Sequence, residues 1–226
     1  MRTLIFAKRN LKEILRDPLS LIFCFVFPVL MIVLMEVIVR STNADLNTIP
    51  QFKIESMFSG MCIFGFAFLT LFSAMNISRD RNSSFQARLN ISPMKPFERL
   101  IGYMLALIPL GFIQIIIVLC TSLCFGLSIS WNILLAILGM LPSLLLFIGL
   151  GVIIGILFNE KTVGGISSLV INLAILMGGM FFPLETMNNA FSTICNILPF
   201  APGIKIPRDI IRGTISGIWV PIHLIR

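Results

Sequence analysis

The sequence predicts an all-α integral membrane protein, a polytopic helical bundle, and three observations predict it. Apolar residues make up 57% of the 226-residue chain, charged residues only 12%, and the mean hydropathy is +1.00, more apolar surface than a soluble core of this size could bury. The apolar residues fall into uncharged runs of about 20, the length a helix needs to cross the hydrocarbon core. Between the second and third runs stands one strongly charged block, residues 79–99, with Arg79, Arg81, Arg88, Lys95 and Arg99. Such a block is held on the cytoplasmic side by the positive-inside bias and orients everything around it.

Taken in order, residues 1–17 form an interfacial amphipathic helix, with Leu4, Ala7, Leu11, Ile14 and Leu15 on one side and Arg2, Arg9, Lys12, Glu13 and Arg16 on the other. A secretory signal peptide is the competing reading, but the next apolar run is too long for one and lacks a small-residue cleavage pattern. The transmembrane domain, 18–226, then holds spans at about 18–39, 57–78, 100–127, 133–158 and 162–184, and residues 218–226 open what would be a sixth, truncated span. Pro28 implies a kink in the first span. Gly60 and Gly65 in the second, and Gly151 and Gly155 in the fourth, read as close-packing positions, since small residues let helices approach. Loops assigned to the inside hold eleven Lys and Arg, and those outside, up to Gly217, hold five, which places the N-terminus inside.

Two segments have their own pattern. In the charged loop, Ser83 or Ser84 caps a two-turn helix carrying Phe85 and Leu89 one turn apart, which Pro93 ends before Pro96 opens the next helix. Exposed Phe85 and Leu89 among basic residues would insert into a partner's cleft, or dip into the membrane interface. After the fifth span, Asn188 caps a helix with Phe191, Ile194, Cys195 and Leu198 on one face, lying on the membrane. Pro199, Pro202 and Pro207 then cut the chain into short pieces, the last of them a brief helix from Pro207 to Arg212 closed by Gly213.

Enzymatic chemistry is not written here. G-x-x-x-x-G-K-[ST], H-E-x-x-H and paired carboxylates are absent, and His223 is the one histidine. The five cysteines, four of them inside apolar runs, read as apolar side chains and not as a metal site or disulfide framework. The net charge of +7 is dispersed in short groups beside apolar runs, a topology signal that suits anionic lipid better than nucleic acid. Spans two to five hold no charged group in their interiors, where ion-coupled transporters and channels place theirs. Energy for any transport would arrive from outside the membrane, at the charged loop.

Residues 178–213, GGMFFPLETMNNAFSTICNILPFAPGIKIPRDIIRG, resemble the end of span five in the type-2 ATP-binding-cassette exporter permeases: a Gly-rich span end, an aromatic-Pro-Leu-Glu turn, an amphipathic segment, then Leu-Pro and a basic short helix. The loop SRDRNSSFQARLNISPMKPFERLIGY is similar to that family's loop between spans two and three. The resemblance covers nearly the whole chain and implies six helices per subunit, a second permease subunit facing the first, either identical or different, and a separate ATPase that binds ATP and Mg²⁺, none of which this chain would hold itself. Arg79, Arg81, Ser84, Phe85, Gln86, Arg88 and Leu89 would then form the ATPase-coupling loop, and Asn76, Asn172, Met177, Phe181 and Phe182 would border the translocation path. It further implies a multi-pass protein of the plasma membrane exporting a drug, an antimicrobial peptide or a lipid-linked compound. A membrane anchor that transports nothing, or a truncated permease, is the alternative, and an intramembrane enzyme would need a catalytic constellation that the chain lacks.

Overall fold

The computed structural model describes residues 2–42, 50–92, 94–180 and 189–213, and among them there is no strand. In chain order the helices are α1 (Arg2–Ile14), α2 (Pro18–Leu21), α3 (Phe27–Thr42), α4 (Ile54–Asn82), α5 (Ser84–Ile91), α6 (Pro96–Cys124), α7 (Trp131–Leu157), α8 (Glu160–Met177), α9 (Asn189–Ile197) and α10 (Phe200–Arg212). A π-helical turn, Ile22–Val26, joins α2 to α3. Pro28 has no N–H to give back to the preceding turn, and a widened turn just before it is one of the ways a helix absorbs that loss.

Among the described residues, five stretches are long and apolar enough to cross a membrane: Ile22–Thr42, α4, α6, α7 and α8. They match the five predicted spans, with shifted ends. The second span runs on to Asn82, so Arg79, Asp80 and Arg81 lie in the last turn of α4 and not in a loop. In α4 89% of the most apolar window is buried, against 17 to 39% in the other four.

The chain divides into two compact units whose boundaries fall inside helices. The first comprises Met1–Phe27, Gly65–Gln114 and Leu144–Asn172, the second Pro28–Phe64, Ile115–Ser143 and Leu173–Arg226.

In the first unit, α4 and α7 meet backbone to backbone. A Cβ on Gly151 would lie 2.4 Å from the Thr70 carbonyl oxygen, and one on Gly155 2.8 Å from that of Ala74. Thr70 Oγ1 donates to the Phe147 carbonyl at 2.8 Å and Ser73 Oγ to that of Ile148 at 3.4 Å. Gly151 and Gly155 are therefore packing positions, as their spacing predicts. Ala74, Ile154 and Val163 form one buried cluster here, and Phe6, Ile77, Leu89, Met94, Tyr103 and Val152 another.

The second unit is organised around α10. Gly203 faces Ser143 and Ile63, Gly178 faces Ile204, and Gly139 faces Ile206 and Ile210, so α4, α7 and the residue that follows α8 each offer a glycine at an α10 contact or receive one from it. Arg212 Nη2 donates to Ser56 Oγ at 2.6 Å, and Arg208 Nη2 to the Gly179 carbonyl at 3.4 Å. The predicted division of this segment by prolines is corrected. α10 is one helix of 13 residues, because Pro202 sits in its first turn, where no N–H is required, and Pro207 is tolerated within it. Gly213 closes it as expected, at φ +68°, its N–H reaching the Asp209 and Ile210 carbonyls. The predicted apolar face of α9 is corrected too, since Cys195 is buried whereas Ile194 is 51% exposed. The side chain of Phe191 lies outside the described residues.

Candidate functional site: the junction beneath the loop helix

The charged loop folds as its turn chemistry requires. Ser83, in extended conformation, caps α5 by accepting the Phe85 N–H on its Oγ at 3.2 Å. Lys95 precedes α6, and its N–H donates to Glu98 Oε2 at 2.9 Å, the returning half of a capping box. Arg99 bridges the two helices, donating to the Leu89 and Met94 carbonyls.

The hydrophobic face of α5 does not point outward. Leu89 is 7% exposed, inside the cluster with Phe6 and Tyr103, and Phe85 is half-buried against it. This corrects the expectation of an exposed Phe and Leu. Both residues are spent on the protein's own core, and what α5 turns to solvent includes Ser84 and Ile91, the latter 87% exposed. The side chains of Gln86 and Arg88 lie outside the described residues.

Asp80 is the centre of the arrangement. Its side chain is 4% exposed and accepts from Arg9 Nη1 at 2.8 Å, from Arg9 Nη2 at 3.1 Å and from the Tyr103 hydroxyl at 2.7 Å. A carboxylate removed from water is tolerated only when paired and hydrogen-bonded, and the two-pronged guanidinium contact supplies both. Arg9 also reaches Asn10 Oδ1 at 3.0 Å and Glu13 Oε2 at 2.8 Å, and its guanidinium carbon sits 3.8 Å from the centre of the Phe85 ring. Burial works against the Arg9 charge, but the bond and charge of Asp80 more than offset it, so its pKa is raised and the cation persists at any ordinary pH. Phe6 completes the junction, stacked parallel to Phe85 with ring centres 6.3 Å apart and set edge-on to Tyr103 at 4.9 Å. One acid thus gathers α1, α4 and α6, and α5 leans on them through Phe85.

Two further cations of the charged block, Arg79 and Arg81, are engaged as well. Arg81 Nη1 donates to the Gly155 carbonyl at 3.2 Å and to that of Ile156, capping the end of α7, where the helix dipole favours a positive group. Arg79 pairs loosely with Glu160 at the start of α8, at 3.7 Å.

α1 differs from its predicted amphipathic pattern. Phe6, Ala7, Asn10 and Ile14 are buried, whereas Leu4 and Leu15 are 65% and 46% exposed. The expected apolar side is split into a protein-facing stripe and an outward one.

Three of the residues expected along a path, Asn76, Asn172 and Met177, are among the described residues. Asn76 is 9% exposed and lines a crevice of about 30 Å³ with Glu13, Ile14, Asp17, Phe72, Met75 and Arg79. Asn172 is exposed on α8, its Nδ2 donating to the Ser168 carbonyl at 2.8 Å, and Met177 is half-buried. Phe181 and Phe182 lie outside the described residues. Among the described residues no group of His, Cys, Asp and Glu could hold a metal.

Sequence reasoning passed over Arg9, Asp80 and Tyr103 as a set. The signals were present in the acid standing between two arginines and in the one tyrosine of the chain.

Compared with known families, residues 1–211 match the model of the ABC-2 type transporter. Comparison with curated proteins and with solved structures returns no match.

Proposed function

From the premise that the chain belongs to the ABC-2 type transporter family, whose members are membrane permease components of ATP-binding-cassette transporters, we propose that it is the permease subunit of an ATP-driven exporter. ATP and Mg²⁺ are bound by a separate ATPase subunit that docks on the loop between the second and third spans. Two permease subunits, identical or different, enclose the path for a hydrophobic or amphipathic substrate such as a drug, an antimicrobial peptide or a lipid-linked compound. The subunit lies in the plasma membrane with its N-terminus cytoplasmic, the orientation favoured by the distribution of basic residues.

The observation that carries this reading is the build of α5. Its inner face is locked onto the core by Phe85 and Leu89, so a push from solvent on Ser84 and Ile91 moves the core instead of folding the loop away. ATP-driven closure of the ATPase would deliver that push.

A photoreactive residue at position 91 tests it. The expected product is a crosslink to a protein bearing the phosphate-binding loop G-x-x-x-x-G-K-[ST], and Ile91→Asp should abolish ATPase association without loss of the folded permease. A fully associated ATPase in Ile91→Asp would remove this face from the docking surface. Phe85→Ala and Leu89→Ala are poorer tests, because they also open the core.

A further inference from the structure

We propose that the Arg9–Asp80–Tyr103 junction is the joint that makes the interfacial helix α1 and the loop helix α5 move as one piece, with Asp80 as its positioning residue. This rests on the reading of α5 as the element that receives the ATPase.

α5 packs against α1 by aromatic stacking and by a cation over a ring. The two meet through Phe85, whose ring lies between Phe6 and the Arg9 guanidinium. The orientation of Arg9 is imposed from elsewhere, by the two-pronged contact with Asp80 at the end of α4. Tyr103 holds the same carboxylate oxygen from α6. A planar guanidinium gripped by both oxygens of one carboxylate can present its flat face in only one direction, here over Phe85. The Asp80 charge therefore sets the position of an aromatic ring that it does not touch. Displacing α5 drives Phe85 against Phe6 and Arg9, and α1 follows. α1 is also where exposed Leu4 and Ile5 stand ready to meet the bilayer, so the joint connects the ATPase side of the subunit to the membrane surface.

The joint is unevenly satisfied. Asn10 is fully buried, its Oδ1 accepting from Arg9, while its Nδ2 has no partner among the described residues.

The test uses the permease with its ATPase in lipid vesicles. Spin labels are placed on Lys8→Cys and Ser84→Cys, both exposed positions, with the native cysteines replaced; because Ser84 lies on the proposed docking face, bound ATPase is compared with that of the labelled protein carrying the unaltered joint. The unaltered joint should give one narrow distance, the same with and without ATP. Asp80→Asn and Arg9→Lys should at least double its width while the amount of bound ATPase stays within twofold. Arg9→Lys keeps the charge and loses the fork and the flat face over Phe85. Asp80→Glu, which keeps a carboxylate for the Arg9 fork, should broaden the distribution far less than Asp80→Asn, a difference that a general loss of packing at this buried position would not give. A distance that stays narrow in Asp80→Asn, or that changes with ATP in the unaltered protein, overturns the joint. Failure of the docking reading looks different, because there Ile91→Asp leaves ATPase association intact and the label distance in Asp80→Asn still reports on the joint.

Discussion

At the scale of single residues, the glycines separate into those that matter and those that do not. A methyl group on Gly151 meets a backbone oxygen at 2.4 Å, and relieving it means parting α4 from α7, whereas one on Gly164 or Gly165 meets nothing within 4 Å. Gly151→Ala should therefore destabilise the subunit by about 1–3 kcal/mol, the usual cost of overpacking. Gly164→Ala and Gly165→Ala should be neutral or gain up to about 1 kcal/mol from helix propensity, all measured by reversible unfolding in mixed micelles. The basic residues divide in the same way. Arg81 satisfies carbonyls at the end of α7, so Arg81→Gln should cost about 1 kcal/mol. Arg79, whose pair is half-exposed on both sides, should cost less than about 0.5 kcal/mol. Local chemistry was legible from sequence at this scale, as the Ser83 cap, the Pro96 start and the Gly213 stop show. The Asp80 junction was not, because Arg9 stands 71 residues away along the chain and spacing does not register such a partner.

At the scale of elements, periodicity told correctly that α1 and α5 are helices and misjudged what their apolar faces meet. A hydrophobic stripe on a short helix at a membrane surface has three possible partners, namely lipid, another protein and the chain's own core, and only the tertiary arrangement decides among them. α5 spends its stripe on the core, and α1 divides its own. A tryptophan at Leu4 should therefore be quenched strongly by brominated lipid and one at Phe6 hardly at all; equal quenching would return α1 to a single lipid-facing side. On α5, Leu89→Ala should cost about 2–5 kcal/mol as a cavity in the core. Ile91→Ser should stay within about 0.5 kcal/mol of the unaltered protein. α10 escaped detection as one helix because each proline was read as a break, although one in the first turn interrupts nothing.

For the whole molecule, the five spans and their all-helical bundle follow from run length and charge, since a bilayer leaves a chain few ways to satisfy its backbone. The orientation is open to direct measurement: Ser84→Cys should react with an impermeant maleimide only from the cytoplasmic side, and Ser130→Cys only from the other, with the reverse result inverting the topology. Lys205, Arg208 and Arg212, three of the five cations expected outside, all lie on α10. Two of them are engaged by Gly179 and Ser56, and such ties give these charges a place in the fold that the positive-inside rule does not count. The enclosure of α4 also bears on how the protein is made. Synthesis runs from the N-terminus, so α4 leaves the ribosome before α6, α7 and α8 exist to cover it. Until α7 emerges, Thr70 and Ser73 have no Phe147 or Ile148 carbonyl to bond. A chain that stops before residue 147 leaves both hydroxyls without these acceptors, so the order of synthesis makes α4 the helix that waits longest for its partners.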